Sequence, residues 1–247
     1  MLRKLQQILA TLQIISHPFG GIKYVIKNGA SIASFQINNS LYQFGINLKT
    51  IIDVGANIGQ FALATHRFYP QATIYSFEPV PDCFQKLTNN VKGIYNIHTY
   101  NFALGNQNDE ISFFQNAHSH ASSALKVSKY QKENIPKTKD YQEIKVQCLR
   151  LDQFKFDRPL IAPVLLKLDV QGFEKNVLDG SSDLLEKVDY IVLEVSFISM
   201  YEGEALFDEI HTYLKEKGFK LVAPVGALLD SNLVIPQLDM LYKRVGI

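Results

Sequence analysis

Residues 51–59 read IIDVGANIG: an apolar run closes on an acid, Asp53, and then Gly55, Asn57 and Gly59 alternate toward a helix. The run TIIDV has the continuous apolar character of a strand buried on both faces. The segment after it, IGQFALATHRFY, carries Phe61, Ala64, Thr65 and Phe68 at helical spacing and stops before Pro70. ATIYSFEP then reads as a second strand. PDCFQKLTNNV reads as a helix with Asp82 at its N-cap, and IYNIHTYNFAL as a third strand. The order β-α-β-α-β predicts an α/β fold, a parallel sheet wrapped by helices.

Regular patterning returns in the C-terminal half. APVLLKLDV and DYIVLEVSF are buried strands, with short helical pieces, GFEKNVLDG and SSDLLEKV, between them. EALFDEIHTYLKEKG is a helix that ends at Gly218. FKLVAP and QLDMLYKR form an antiparallel pair at one edge. Upstream, YVIK and ASFQI within 22–48 alternate as a strand or hairpin leading into the core. Between EISFF and EIKVQCLRL lies a polar stretch. Over 126–145 it holds six lysines against Glu133, Asp140 and Glu143, which reads as a solvated loop, with a lid or substrate loop as the alternative.

The chain has 247 residues, 47% hydrophobic and 20% charged, with a net charge of +1. That length suits one α/β domain with additions. The near-neutral balance gives no global attraction to nucleic acid or acidic membranes. Two cysteines, Cys83 and Cys148, without zinc spacing, fit reduced thiols in the cytoplasm. At the N-terminus Leu2, Leu5, Leu9, Leu12 and Ile15 fall near helical spacing, which predicts an amphipathic helix packed on the domain; attachment to a membrane surface is the other reading. No apolar run is long enough to span a bilayer.

In an open α/β sheet ligands collect beyond the carboxyl ends of the strands, where IIDVGANIG sits. Gly55 and Gly59 let the backbone turn tightly and come close to a ligand. The dinucleotide fingerprint needs glycine where this chain has Gly55, Asn57 and Gln60, so two of its three positions fail, and no GK[ST] follows. Asp53 suits a cationic group such as an ammonium, directly or through water. Glu78 closes the second strand, 25 residues after Asp53, where a carboxylate accepts hydrogen bonds from both ribose hydroxyls. A glycine turn without phosphate chemistry, followed by a ribose acid, points to S-adenosylmethionine.

The motifs DVGANIG, FEP, NFALG, LKLDVQGFEKNVLDG, LEVSF and QLDMLY occur in this order, and over residues 48–244 the chain resembles the FkbM family of S-adenosylmethionine-dependent methyltransferases. The resemblance implies a Rossmann-like class I methyltransferase fold, a seven-stranded sheet in the order 3-2-1-4-5-7-6. With no internal repeat and no low-complexity tract, the economical reading is one domain over 1–247, with 1–48 as a helical or hairpin extension and 49–247 as the catalytic core. The resemblance also implies O-methylation of a hydroxyl on a sugar, glycan or other natural product. Carried over by position, Asp53, Gly55, Asn57 and Gly59 line the methionine part, Glu78 holds the ribose, Asn101 to Ala103 lie by the adenine, and Asp169 faces the reacting centre.

A hydroxyl acceptor needs help in losing its proton, and a carboxylate, a histidine or a divalent metal can give it. The candidates are Lys167, Asp169, Glu174, Glu194, His118 and His120. Lys167 and Asp169 share one side of their strand; Asp169 could instead cap the following helical turn, and Lys167 could simply pair with an acid. Glu194 follows four apolar residues, where an unpartnered charge is costly. Glu174 suits a helix N-terminus. His118 and His120 share a side if their segment is extended, either as a base or as a metal pair; otherwise they are loop residues. Ser122 and Ser123 are substrate contacts or loop caps.

Nucleic-acid base methylation is disfavoured because the fourth strand ends in DVQG and no basic stripe exists. The rival from another class is a non-catalytic binding or scaffold protein on the same fold. The acceptor, the metal requirement and the choice between monomer and homo-oligomer are left open.

Overall fold

The computed structural model describes residues 2–27, 29–228 and 235–246, with side chains from Ile8 onward and none for 227–228. The central strands β1 (Thr50–Val54) and β7 (Val164–Leu168) are buried at every position. Their apolar runs are continuous because helices cover both faces. Around them β2 (Thr73–Phe77), β3 (Ile97–Tyr100), β8 (Tyr190–Ser196), β9 (Phe219–Leu228) and β10 (Gln237–Arg244) complete a seven-stranded sheet. The order is β3-β2-β1-β7-β8-β10-β9, with β10 antiparallel to both neighbours. By position along the chain this is the order 3-2-1-4-5-7-6.

Alternation along the central strands divides the core. Ile51 and Leu165 join α4 (Gln60–Phe68) and the N-terminal helices on one face. Ile52, Val54, Leu166 and Leu168 join α7 (Glu174–Asp179) and α8 (Phe207–Glu216) on the other. Helix α5 (Pro81–Asn90) begins with Pro81 after Val80, so Asp82 lies inside its first turn and is not its cap. Proline suits that position because the first helical N–H has no partner in any case. The expected third strand is split. β3 ends at Tyr100, and β4 (Ala103–Leu104) leaves for a second sheet, β4-β6-β5, with β5 (Asp109–Asn116) and β6 (Tyr141–Leu149) antiparallel.

The N-terminal segment differs from the strand or hairpin expected over 22–48. It forms α2 (Ile22–Val25) and α3 (Ile32–Gln43). Ser31 caps α3 by accepting the Ser34 N–H at 3.3 Å. Phe35, Ile37, Asn38 and Leu41 are all buried, so α3 is covered on more than one side and its sequence lacks a clean helical stripe. α1 (Leu2–Ser16) is the expected helix, but not on the expected face: Leu9 and Leu12 are exposed and Ile14 is the buried residue. The side chains of Leu2 and Leu5 lie outside the described residues.

The polar stretch after β5 is anchored. It carries α6 (Lys129–Asn134) between two single 3-10 turns. Val127 pairs with Tyr201, and these two and Met200 are buried together. Ser128 donates from its N–H to Met200 O at 2.8 Å and from its hydroxyl to Ser199 O at 2.7 Å. These contacts hold the segment over the carboxyl ends of the strands, as a lid.

Candidate active site

A cavity of about 580 Å3 opens above the carboxyl ends of β1, β2, β7 and β8. The lid covers it from one side, and Ser31, which caps α3, and Ser34 and Ile37 of that helix form a further wall.

At one end is the glycine turn. Gly55 has φ +79°, and a Cβ there would stand 1.9 Å from Asp169 O, so the turns after β1 and β7 touch backbone to backbone. Asn57 also has a positive φ, 49°, which aims its N–H at Glu78 Oε2, 2.8 Å away. Val80 N–H donates to Glu78 Oε1 at 2.9 Å. Burial pushes the Glu78 carboxyl up to about 7, against the pull of these two N–H groups. Phe102, Ala103 and Leu104 give the neighbouring wall an apolar face.

Gly55, Asn57, Glu78 and Ala103 line the cavity as expected; three other residues do not. Asp53 is fully buried one residue below the turn, with Oδ1 3.3 Å from Lys167 Nζ and Oδ2 accepting the Ser76 hydroxyl. Its register partner across the β1–β7 ladder is Lys167. Gly59 starts α4 and packs against Leu87 of α5, where a Cβ would meet Leu87 Cδ1 at 2.9 Å. Asn101 donates to Glu78 O and Pro79 O, and so fixes the turn that carries Glu78 instead of lining the cavity.

Beside the glycine turn, above β7 and β8, Asp169 and Glu194 meet. Gln171 Nε2 donates to Asp169 Oδ1 at 2.7 Å and to Glu194 Oε2 at 3.0 Å. Gln237 Nε2 donates to the same Glu194 oxygen at 3.0 Å. Against the effect of burial, Lys167, Gln171 and His120 hold the Asp169 carboxyl below the usual range. Burial, Asp169 and Asp239 push Glu194 well above it. Asp239 faces Glu194 across the β8–β10 ladder and is itself pushed up to about 6 by burial and Asp169. Two carboxyl groups joined by one amide thus have proton affinities driven apart, the arrangement from which acid and base roles arise.

Asp169 does not cap the following turn. α7 begins after Phe173, and the buried Glu174 accepts the Val170 N–H at 3.0 Å. Glu174 therefore closes the turn below the cavity and does not line it. Lys167 bridges Asp53 and Asp169, at 3.3 and 3.4 Å, and lies 5.4 Å from the centre of the Phe61 ring. Burial opposes its charge, but Asp169 and Asp53 together hold its proton more tightly than usual.

His118 and His120 both line the cavity, although their segment is a 3-10 turn and not extended. Their rings are 5.9 Å apart. His120 lies 3.1 Å from Gln60 Nε2 and 3.4 Å from Asn57 Nδ2, which ties the lid to the glycine turn. Burial and Lys137 lower the proton affinity of His118. Ser122 lines the cavity while accepting the Asn116 N–H; Ser123 is buried and donates to Gln171 O at 2.6 Å. Among the described residues no group of three His, Cys, Asp or Glu side chains is placed to hold a metal ion.

Sequence reasoning missed Gln171, Gln237 and Asp239. Gln171 has φ 56° without being glycine, and Tyr201 OH donates to its side-chain oxygen at 2.8 Å. A left-handed backbone costs an L-residue about 1–2 kcal/mol, so the surrounding contacts hold it in place. The signal in the sequence was VQG after a strand-ending acid, a turn that needs positive φ at both Gln171 and Gly172.

The residues present fit S-adenosylmethionine. Glu78 offers acceptor oxygens to ribose hydroxyls, Phe102 to Leu104 offer an apolar wall to adenine, and the buried Asn57 Oδ1 has no partner among the described residues. Two lysines line the cavity, Lys137 of the lid and Lys167, and Lys167 is already engaged by Asp53 and Asp169. This sheet order, with the acid at the end of β2 and the cavity above β1 and β7, defines a class I S-adenosylmethionine-dependent methyltransferase.

Residues 53–221 match the model of the methyltransferase FkbM domain, and the chain belongs to that family. It is 31% identical over 182 residues to Methyltransferase 1 of Beauveria bassiana, covering 68% of this chain and 71% of that protein. It is 27% identical over 191 residues to 2-O-methyltransferase NoeI of Sinorhizobium fredii, covering 75% and 78%. With 31-O-demethyl-FK506 methyltransferase FkbM of Streptomyces tacrolimicus it shares 26% identity over 239 residues, covering 80% and 88%.

Proposed function

We propose that the protein transfers a methyl group to a hydroxyl oxygen of a sugar, glycan or other natural product, with Glu194 as the base. The observation that carries this reading is the Gln171 amide joining Asp169 and Glu194 in the same cavity as Glu78. The names of two relatives, a 2-O-methyltransferase and a 31-O-demethyl-FK506 methyltransferase, support an oxygen acceptor.

Bound S-adenosylmethionine supplies an electrophilic methyl on a sulfonium. Glu78 and the Asn57 turn hold the nucleoside end. Asp169 stays ionised and favours a cationic group near the turn. Once ionised, Glu194 accepts the hydroxyl proton on its carboxylate; its raised proton affinity makes that carboxylate a stronger acceptor than an ordinary glutamate and confines the base to the higher pH at which it has lost its own proton. Gln171 and Gln237 fix the orientation of that carboxylate, and the lid keeps water from the reacting atoms. His118 and His120 stand across the cavity as contacts to the acceptor. The helices before β1 act with the core as one unit, because α3 walls the cavity. The two free, buried cysteines support a cytoplasmic setting.

The test is isotope transfer from methyl-labelled S-adenosylmethionine to a panel of sugars, polyols and amines. Label in hydroxyl acceptors, released as methyl ethers, supports the reading. Label in amines alone, or cofactor binding without transfer to any acceptor, contradicts it.

A further inference from the structure

The net charge of +1 conceals a separation along the chain. Residues 1–52 contain Arg3, Lys4, Lys23, Lys27 and Lys49 and no Asp or Glu; the first acid is Asp53. This basic segment also exposes large apolar side chains. Ile8, Leu9 and Leu12 of α1 are 56%, 51% and 55% exposed, and Ile14 is 3% exposed. At about 100° per residue, Ile8, Leu9 and Leu12 share one arc of the helix and Ile14 lies roughly opposite. Over residues 8–16, α1 therefore packs on the protein through Ile14 and turns the large side chains of Ile8, Leu9 and Leu12 to solvent. In α2 and the two residues after it the pattern recurs: Tyr24 is buried, whereas Ile22 and Ile26 are 62% and 75% exposed, with Lys23 and Lys27 exposed beside them.

A second observation lies next to α2. A cleft of about 330 Å3 is lined by Lys23, Lys27, His66 and Arg67, together with Tyr24, Leu63 and Ile94, and no acid is among its lining residues. His66 Nδ1 is buried there without a hydrogen-bond partner among the described residues. Arg67 donates to Phe19 O and Gly20 O, which ties the cleft to the turn between α1 and α2. Lys23, Lys27 and Arg67 around one opening whose lining holds no acid make a place for an anion, while burial, Lys27 and Arg67 hold His66 toward its neutral form.

We propose that the N-terminal segment docks the protein on an anionic membrane surface. The exposed Ile and Leu side chains of α1 and α2 enter the interface, and the cleft of Lys23, Lys27, His66 and Arg67 receives a lipid phosphate. A basic segment with outward apolar side chains is the composition that lies in a bilayer interface without crossing it. No helix among the described residues is long and apolar enough to span a membrane. The inference uses none of the residues assigned to methyl transfer, so it stands or fails separately from the proposed acceptor.

The test is flotation of the full chain with vesicles of phosphatidylcholine alone and with vesicles that also contain phosphatidylglycerol. Binding to the anionic vesicles only, weakened between 0.1 M and about 0.5 M salt, is expected. Lys23→Gln with Lys27→Gln weakens it by roughly fivefold per lysine. Ile8→Ser, Leu9→Ser and Leu12→Ser together abolish it, while affinity for S-adenosylmethionine, which reports the fold, stays unchanged. Equal recovery on both kinds of vesicle, no binding to either, or full binding by the folded triple variant would overturn the proposal. So would sedimentation showing a wild-type dimer that the triple variant dissociates, with no vesicle binding by either, since the face would then be a contact between two copies of the chain.

Discussion

Replacing Lys167 with Met tests the ionic floor of the cavity. The side chains of Lys167 and Asp53 are 7% and 0% exposed, so the substitution leaves a carboxylate in the core with only the Ser76 hydroxyl as partner. Breaking a buried pair from one side costs about 3–5 kcal/mol. Here the loss has a ceiling, because Asp53 can take up a proton instead of remaining charged. Protonating an ordinary aspartate of pKa about 3.9 costs about 4 kcal/mol at pH 7 and about 1.5 kcal/mol at pH 5, at 1.4 kcal/mol per unit. The folded variant holds that proton and the unfolded chain does not, so its penalty is small in acid and grows as pH rises. Urea unfolding of wild type and variant at pH 5, 6 and 7 measures the difference. Adding Asp53→Asn to Lys167→Met should recover most of the loss at pH 7 and flatten the pH dependence. A loss below about 1 kcal/mol at pH 7, or one independent of pH, would show that the pair does not support the floor.

Other substitutions probe the remaining parts of the site. Gly55→Ala should destabilise by more than the 1–2 kcal/mol that a left-handed backbone costs, since its Cβ would meet Asp169 O at 1.9 Å; thermal melting that matches wild type would refute the contact. Glu174 is buried and burial pushes it up to about 8 from 4.5, so the folded protein keeps a proton that the unfolded chain releases. Its stability contribution is complete below pH 4.5 and drains away as pH rises to about 8. Glu174→Gln should remove a slope of about 1.3 kcal/mol per pH unit between about pH 6 and 7; an unchanged slope in urea unfolding would count against it. Glu194→Gln should lower turnover by about 100-fold or more, as loss of a general base does, with the S-adenosylmethionine Kd nearly unchanged; normal single-turnover rates would remove Glu194 from the base role.

The central strands were legible because a parallel strand covered on both faces must be apolar throughout, as TIIDV and VLLKL are. Glu78 and Asp169, just past the ends of β2 and β7, and Glu194, within β8, stood out because each interrupts an apolar run. The Asp53–Lys167 pair was not legible. The two residues face each other only through the β1–β7 register, a pairing between distant segments that no local pattern encodes. Asp53 therefore read as a ligand contact when its partner is an internal lysine. Gln237 and Asp239 were missed for the same reason: an amide and a third acid acquire meaning only when β10 is laid beside β8. α3 read as a strand because burial on several sides, including Asn38 bonded to Ser34 O, erased the one-sided stripe that marks a surface helix. α1 gave the opposite error. Its stripe was real, but packing took the other face.

The most direct measurement is titration of S-adenosylmethionine into wild type and Glu78→Ala by calorimetry, with melting curves recorded in parallel. Hydrogen bonds to a charged group contribute about 1.5–3 kcal/mol, so the folded variant should bind at least about tenfold more weakly. An unchanged Kd would mean that the nucleoside is not held at the end of β2, and the cavity would need another occupant.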